Sequence, residues 1–306
     1  MCFPPVACPG TRDDSAPYDD AVPTTARPLA GVRALLLDLD GVIVLAEKPV
    51  EGSARAIGEL ARRGIPFRIV TNTSLVSRAT LAHWGASMGA PIPAERFQSA
   101  LSVSAAYTAR TFPGQPLYVL TSDDARSEFA GQRLLSDDDA SKPDARAAAV
   151  VVGDSPEAAT WDNLNRAFRL IRNGAELIGM HKNRWWLTPD GPTIDSGAYV
   201  AGLEFSAGVK ARIVGKPARE FFTEAANALA AEVRSRGEPP LRRRDVLMVG
   251  DDLETDVRAA QRAGLRGAFV LTGKHTRADL ATAAGRGRTP PDLVAESLAE
   301  VVAALD

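Results

Sequence analysis

An aliphatic run that ends abruptly in two carboxylates and a glycine, Ala34-Leu-Leu-Leu-Asp38-Leu-Asp40-Gly41, constrains this chain more than any other stretch. A continuous apolar segment bounded by turn signals suits a parallel strand buried on both faces. In an open parallel sheet, ligands bind in the crevice beyond the carboxyl ends of the strands, where Asp38 and Asp40 fall. Alternate residues of an extended chain point the same way, so both carboxylates can face one pocket, and Gly41 lets the backbone turn closely past its contents. Two like charges this close call for a cation, or one of them keeps its proton. Alone, a D-x-D-G is as well explained by a strand and an Asp-Gly turn.

The same pattern recurs. A helix over 53–63, stopped by Gly64, leads to a second strand, Pro66–Val70, which ends in Thr71-Asn72-Thr73-Ser74. Hydroxyls, an amide and helix N-terminal N–H groups are what a phosphate oxygen needs, although T-N-T-S is also an ordinary helix cap. Lys216 follows the apolar Ala211–Val214 between Gly215 and Pro217, and could neutralise anionic oxygens as a compact charge. Asp245–Gly250 is again an apolar strand running into Asp251 and Asp252, with Asp256 five residues beyond Asp251. A doubly wound α/β sheet collects such strand ends on one edge. Carboxylate oxygens from Asp38 and Asp251 make a hard site suited to Mg²⁺, which keeps waters and bridges to phosphate. The residue types together fit phosphoryl transfer.

The 306 residues allow one large or two moderate domains. A net charge of −2 gives no nucleic-acid or acidic-membrane surface, and no window approaches the ~20 apolar residues of a spanning helix. The first residues lack the basic and apolar regions of a signal peptide, which predicts a cytoplasmic protein. Residues 1–29, with Cys2 and Cys8, read as a disordered leader. Further strands are expected over 117–121, 147–152 and 176–180. Ser136–Ala140 is expected as a solvated loop, and Trp161, Leu164, Phe168 and Ile171 as the core face of one helix.

D-L-D-G-V, T-N-T-S, G-K-P and G-D-D-L-E-T-D, in this order, resemble the four motifs of the haloacid dehalogenase superfamily of phosphohydrolases. The interval from Gly41 to Ser53 is too short for a lid, whereas that from Thr71 to Lys216 is long. This is similar to subfamily IIA, the NagD- and nitrophenyl-phosphatase-like branch with a type II cap. His181-Lys-Asn-Arg-Trp-Trp, Leu203 through Pro217 and Gly250 through His275 resemble the phospholysine phosphohistidine inorganic pyrophosphate phosphatases, save that tyrosines are expected in place of Trp185-Trp186.

The resemblance implies a Rossmann-like core over 30–85 and 201–306 with an inserted α/β cap over 86–200. It implies Asp38 as nucleophile and Asp40 as general acid/base. It further implies Mg²⁺ on Asp38, Asp40 (through its carbonyl) and Asp251, phosphate held by Thr71, Asn72 and Lys216, and Asp256 orienting Lys216 or a metal-bound water. Asp252 is a secondary candidate, and His181 and Asn183 would contact the leaving group. The expected partner is a small phosphorylated molecule, with pyrophosphate and phosphoamino acids as the candidates. Neither nucleic acid nor membrane is expected, and a cap-mediated homodimer would suit the resemblance, as would a monomer. The rival reading is a receiver-like phospho-acceptor or a phosphate- and Mg²⁺-binding protein without catalysis.

Overall fold

The computed structural model describes residues 29–305. The leader and its cysteines lie outside the described residues, except Leu29, which is buried in the core rather than part of a tail. From the N-terminal side, β1 (Ala34–Leu37) is followed by a hairpin of β2 (Val44–Leu45) and β3 (Lys48–Pro49). Ala46 and Glu47 at its tip both have positive φ, 46° and 62°, the twist that a two-residue hairpin turn demands. The helix Ser53–Arg62, β4 (Phe67–Thr71), the helix Arg78–Ser87 and β5 (Phe97–Ser99) come next.

After the helix Ala100–Thr111 the chain builds a second sheet from β6 (Leu117–Leu120), β7 (Ala149–Val152) and β8 (Glu176–Gly179). An antiparallel hairpin, β9 (Trp185–Thr188) and β10 (Gly191–Ile194), precedes the helix Gly197–Ala207 and β11 (Arg212–Ile213). The helix Arg219–Ser235 returns the chain to β12 (Val246–Gly250), β13 (Arg266–Val270), β14 (Leu293–Ala295) and the closing helix Leu298–Ala303.

The first sheet has six strands in the order β14-β13-β12-β1-β4-β5, all parallel. Alternation along β1 explains its uninterrupted aliphatic sequence. Leu36 packs with Met248, Phe221, Phe222 and Leu229 on one face, and Leu35 and Leu37 pack with Ile57, Leu60, Ile69 and Val301 on the other. The second sheet, order β11-β8-β7-β6, is also parallel and has its own apolar cluster around Tyr118, Leu170 and Leu203.

Both boundaries drawn from the sequence move toward the C-terminus. β5 belongs to the core sheet although it lies beyond residue 85, and β11 belongs to the inserted sheet although it lies beyond residue 200. Each is too short to show as a hydrophobic run. Two other expectations are corrected. Ser136 caps a short helix, Asp137–Ala140, rather than sitting in a loop. Trp161 is 79% exposed, because it opens its helix just after the Thr160 cap and the buried face runs through Asn163, Ala167, Leu170 and Ile171. The segment after Asp252 starts as a π-helix, Leu253–Arg258, before one α-turn, Ala259–Arg262.

Candidate active site

The ends of β1 and β12, adjacent in the sheet, bring Asp38 and Asp251 together. Carboxylate oxygens of Asp38, Asp251 and Asp256 lie within 4.8 Å of one another, all three side chains buried. Asp256 reaches this point because the π-turn sets it beneath the strand end. A Cβ on Gly250 would stand 2.4 Å from that of Asp256, so only glycine admits the approach. Gly41 (φ +78°) and Gly273 crowd the other side, where added Cβ atoms would fall 2.2 and 2.0 Å from Asp251 Oδ2. The Lys274 N–H donates to that same oxygen.

Lys216 Nζ sits 2.7 Å from Asp38 Oδ1 and 2.7 Å from Asp256 Oδ1. Asn72 holds the lysine in place through its backbone: the Lys216 N–H donates to Asn72 Oδ1 at 2.8 Å, and Asn72 Nδ2 donates to the Lys216 carbonyl at 3.0 Å. The same Nδ2 also reaches Asn183 Oδ1 at 3.2 Å. Asn72 therefore has its amide committed to Lys216 and the cap. Thr71 Oγ1 accepts from the Thr73 N–H at 3.0 Å and meets the Thr73 hydroxyl at 2.9 Å.

Asp40 stands apart from the carboxylate cluster and lines a cavity of about 510 Å³. Asn183 and His181 reach the same cavity from the inserted domain. His181 is only 2% exposed, with Nε2 3.2 Å from both Ser74 Oγ and Ser196 Oγ and 3.6 Å from Asp195 Oδ1. Burial, reinforced by Lys216, depresses its pKa to about 3, so the ring is neutral and its nitrogens serve internal contacts. Asp252 caps the π-helix, accepting from the Glu254 and Thr255 N–H groups. Burial opposes its ionisation, but those donors, with Lys274 and His275, hold its pKa below the usual range. It is a structural cap and stands outside the cluster.

Sequence reasoning missed Asp154, Asp195 and Ser196, all at or beside the cavity. Asp154 follows β7 by two residues, the same signal as at β1, but without a companion motif. Asp195-Ser-Gly197 carried a cue in its glycine, whose Cβ would meet Asn183 O at 2.1 Å.

The electrostatics show a site with surplus negative charge. Burial pushes Asp38 to about 6 despite Lys216, with Asp251 and Asp40 adding to the rise. Burial and Asp256 push Asp251 to about 7, and Asp40, though its surface opens to the cavity, is raised to about 6 by loss of hydration with Asp195 and Asp256 adding to the rise. Lys216 loses hydration on burial, but Asp256 and Asp38 outweigh that loss and its pKa is raised. One ammonium cannot balance three buried carboxylates. Asp256 has one oxygen on Lys216 and the other on the Asp252 N–H. Asp38 and Asp251 are left with oxygens free for a divalent cation, a hard donor set that fits one.

Comparison with known proteins settles the family. A haloacid dehalogenase-like hydrolase model matches residues 35–134 and a HAD-hydrolase-like model residues 213–301. The chain is 34% identical over 248 residues to bovine haloacid dehalogenase-like hydrolase domain-containing protein 2, covering 81% of this chain and 87% of the relative. The chain belongs to the haloacid dehalogenase superfamily. It is also 34% identical to human phospholysine phosphohistidine inorganic pyrophosphate phosphatase, over 82% of this chain and 87% of that protein.

Among solved structures, p-nitrophenyl phosphatase from Archaeoglobus fulgidus superposes with a TM-score of 0.76 at 26% identity, covering 89% of this chain and 99% of that one. NagD from E. coli K-12 gives 0.73 at 25%, covering 88% and 98%. These neighbours fix the superfamily member as a subfamily IIA phosphatase with the Rossmann-like core and cap expected from the motifs, and the receiver-like alternative falls away. Among the described residues, no helix is long and apolar enough to cross a membrane.

Proposed function

We propose that this haloacid dehalogenase superfamily phosphatase hydrolyses small phosphorylated molecules through an aspartyl-phosphate on Asp38, with Mg²⁺ as its divalent ion. The observation that carries the reading is the state of the Asp38 carboxylate. Its Oδ1 is held by the Leu39 N–H and Lys216 Nζ, both at 2.7 Å, while Oδ2 has no hydrogen-bond partner among the described residues. A carboxylate fixed through one oxygen and open at the other is oriented for in-line attack on phosphorus.

In the first step the free Asp38 oxygen forms a bond to phosphorus as the bond to the leaving group breaks, and Asp40, facing the cavity, gives the leaving oxygen its proton. In the second, Asp40 takes a proton from water as the water oxygen attacks phosphorus, releasing orthophosphate and restoring Asp38. Lys216 offsets charge on the phosphoryl oxygens, and the Thr71–Thr73 turn offers hydroxyls and N–H groups to them. Asn72 and Asp256 act through Lys216, which they position. Asp38 and Asp251, with the Asp40 carbonyl, would hold Mg²⁺, whose bound charge neutralises the phosphoryl oxygens.

The sequence-level candidates for substrate are pyrophosphate and phosphoamino acids, the molecules named in the human relative. The test is phosphate release from 4-nitrophenyl phosphate, pyrophosphate and phospholysine by protein treated with EDTA and then resupplied with Mg²⁺, for wild type and Asp38→Asn. Metal-dependent turnover that the variant lacks is expected. Full activity in EDTA, or in Asp38→Asn, would overturn the mechanism.

A further inference from the structure

The cavity that receives the leaving group carries charge of one sign. Beyond Asp40 its described walls include Glu47 at the β2–β3 tip, Asp154 after β7 and Asp195 before the helix Gly197–Ala207, and no lysine or arginine. Nearby ammonium groups are already engaged. Lys216 is held between Asp38 and Asp256, and Lys274 lies over the Trp185 ring at 4.5 Å and 3.6 Å from Asp252. His181, the remaining basic side chain on the wall, is neutral.

The Asp154 carboxylate has no hydrogen-bond or ion-pair partner among the described residues; only its backbone N–H is used, toward Ser74 Oγ at 2.8 Å. Asp195 is 4% exposed, and its Oδ1 takes the Ser196 N–H. Burial raises both carboxyls, Asp195 against the pull of the Ser196 and Asn183 donors and Lys274, and at Asp154 repulsion from Asp195 adds to the rise. A bound cation would relieve it. Independently, the walls include Trp84 and Trp186, whose ring faces attract ammonium groups.

We propose that the preferred substrates are phosphomonoesters whose leaving group bears an alkylammonium, with the cation seated between Asp154 and Asp195 and its carbon stem against Trp84 and Trp186. This rests on the phosphatase reading above and narrows it. The reaction is ordinary hydrolysis: the P–O ester bond breaks, water supplies oxygen to phosphorus and a proton to the departing alcohol, and an amino alcohol and orthophosphate leave. Leaving groups that are anionic, as in phosphoglycolate or pyrophosphate, meet repulsion in the same cavity.

The experiment compares kcat/KM with Mg²⁺ for aminoalkyl phosphates from ethanolamine phosphate upward, the matched alkyl phosphates, phosphoglycolate, pyrophosphate and 4-nitrophenyl phosphate. The best aminoalkyl ester is expected to exceed its alkyl match by about tenfold or more, chiefly through KM, the factor that one modest charge pair supplies. Asp154→Asn and Asp195→Asn are each expected to bring that ratio toward one. Because Asp154 has no side-chain partner to lose, its variant keeps the test open if Asp195→Asn fails to fold. Equal or better use of alkyl, glycolate or pyrophosphate substrates, or a ratio unmoved in the folded variants, would overturn this inference alone. No hydrolysis of any compound, 4-nitrophenyl phosphate included, would overturn the phosphatase mechanism with it.

Discussion

Lys216 and Asp256 form a wholly buried ion pair, 2.7 Å long, whose ammonium is shared at equal distance with Asp38. Asp256 thereby fixes the cation against the proposed nucleophile from below, while its other oxygen takes the Asp252 N–H at 3.2 Å and ties the pair to the π-helix. Removing one partner of a buried pair leaves the other charge uncompensated, at about 3 kcal/mol or more. Here Asp38 remains to balance Lys216, so Asp256→Asn should cost less than that in stability. Its larger effect should be on kcat, a fall of about tenfold to a hundredfold as the ammonium loses its fixed position. Denaturant unfolding and steady-state kinetics on one preparation separate the two. A variant with unchanged kcat would show that Asp256 positions nothing.

The raised carboxylates give the metal-free protein an unusual pH response. Asp38 and Asp40 stand at about 6 and Asp251 at about 7 in the folded state, each above the ordinary 3.8. A carboxyl with a raised folded pKa binds its proton more tightly when folded. Its contribution is therefore fully present below about pH 4 and is lost as pH rises through the folded value. In EDTA, Tm should fall between about pH 5 and pH 7.5. Saturating Mg²⁺ should reverse the slope, since a cation bound only by the folded state stabilises it by about 2.7 kcal/mol at a hundredfold excess over Kd. Scanning calorimetry across that range is the check, and a metal-free Tm that climbs with pH would contradict it.

Where the sequence was readable, it was readable for a physical reason. β1, β4 and β12 are covered on both faces, so their aliphatic runs stand out, and the crevice at their ends requires polar groups immediately afterwards. The placement of Asp38, Thr71 and Asp251 at strand ends is thus legible without coordinates. β5 is Phe97-Gln-Ser99 and β11 only Arg212-Ile213; neither has a run to notice, and the boundaries slipped accordingly. The residue type of Asn72 suits a phosphate ligand. Its commitment to the Lys216 backbone is a contact across the chain that no local pattern announces. Asp154 and Asp195 lie in connections whose convergence depends on how the second sheet sits over the first.

Glycines around Asp251 give a test of the metal site that leaves the remaining chemistry untouched. Gly273 has no left-handed backbone requirement, yet an alanine methyl there would fall 2.0 Å from Asp251 Oδ2. The carboxylate must move, because the surrounding backbone is pinned by the Lys274 N–H bond to it. Gly273→Ala should retain native circular dichroism and lose Mg²⁺ affinity by at least about tenfold, the scale seen when a ligand's supporting contacts are disturbed. Calorimetric titration with Mg²⁺ reads this directly. Undiminished affinity would mean that Asp251 is not a ligand.

Closure of the inserted domain over the core offers the last prediction. The β9–β10 hairpin meets the core loop after β13 where Lys274 Nζ lies 4.5 Å from the Trp185 ring centroid. Trp185 is 38% exposed, so the interaction is screened on one side and belongs at the lower end of the range, about 0.5–1 kcal/mol. An energy that small cannot hold the fold together, but it biases an open–closed equilibrium by about threefold. Lys274→Ala keeps the backbone N–H that Asp251 uses and removes the side chain beyond Cβ, and with it the ammonium's contacts to Trp185 and Asp252. It should raise KM about threefold while thermal stability stays within about 0.5 kcal/mol of wild type. Trp185→Phe, which preserves a ring face, should give a smaller rise than Trp185→Ala. If all three variants share the wild-type KM, the hairpin contact plays no part in closure.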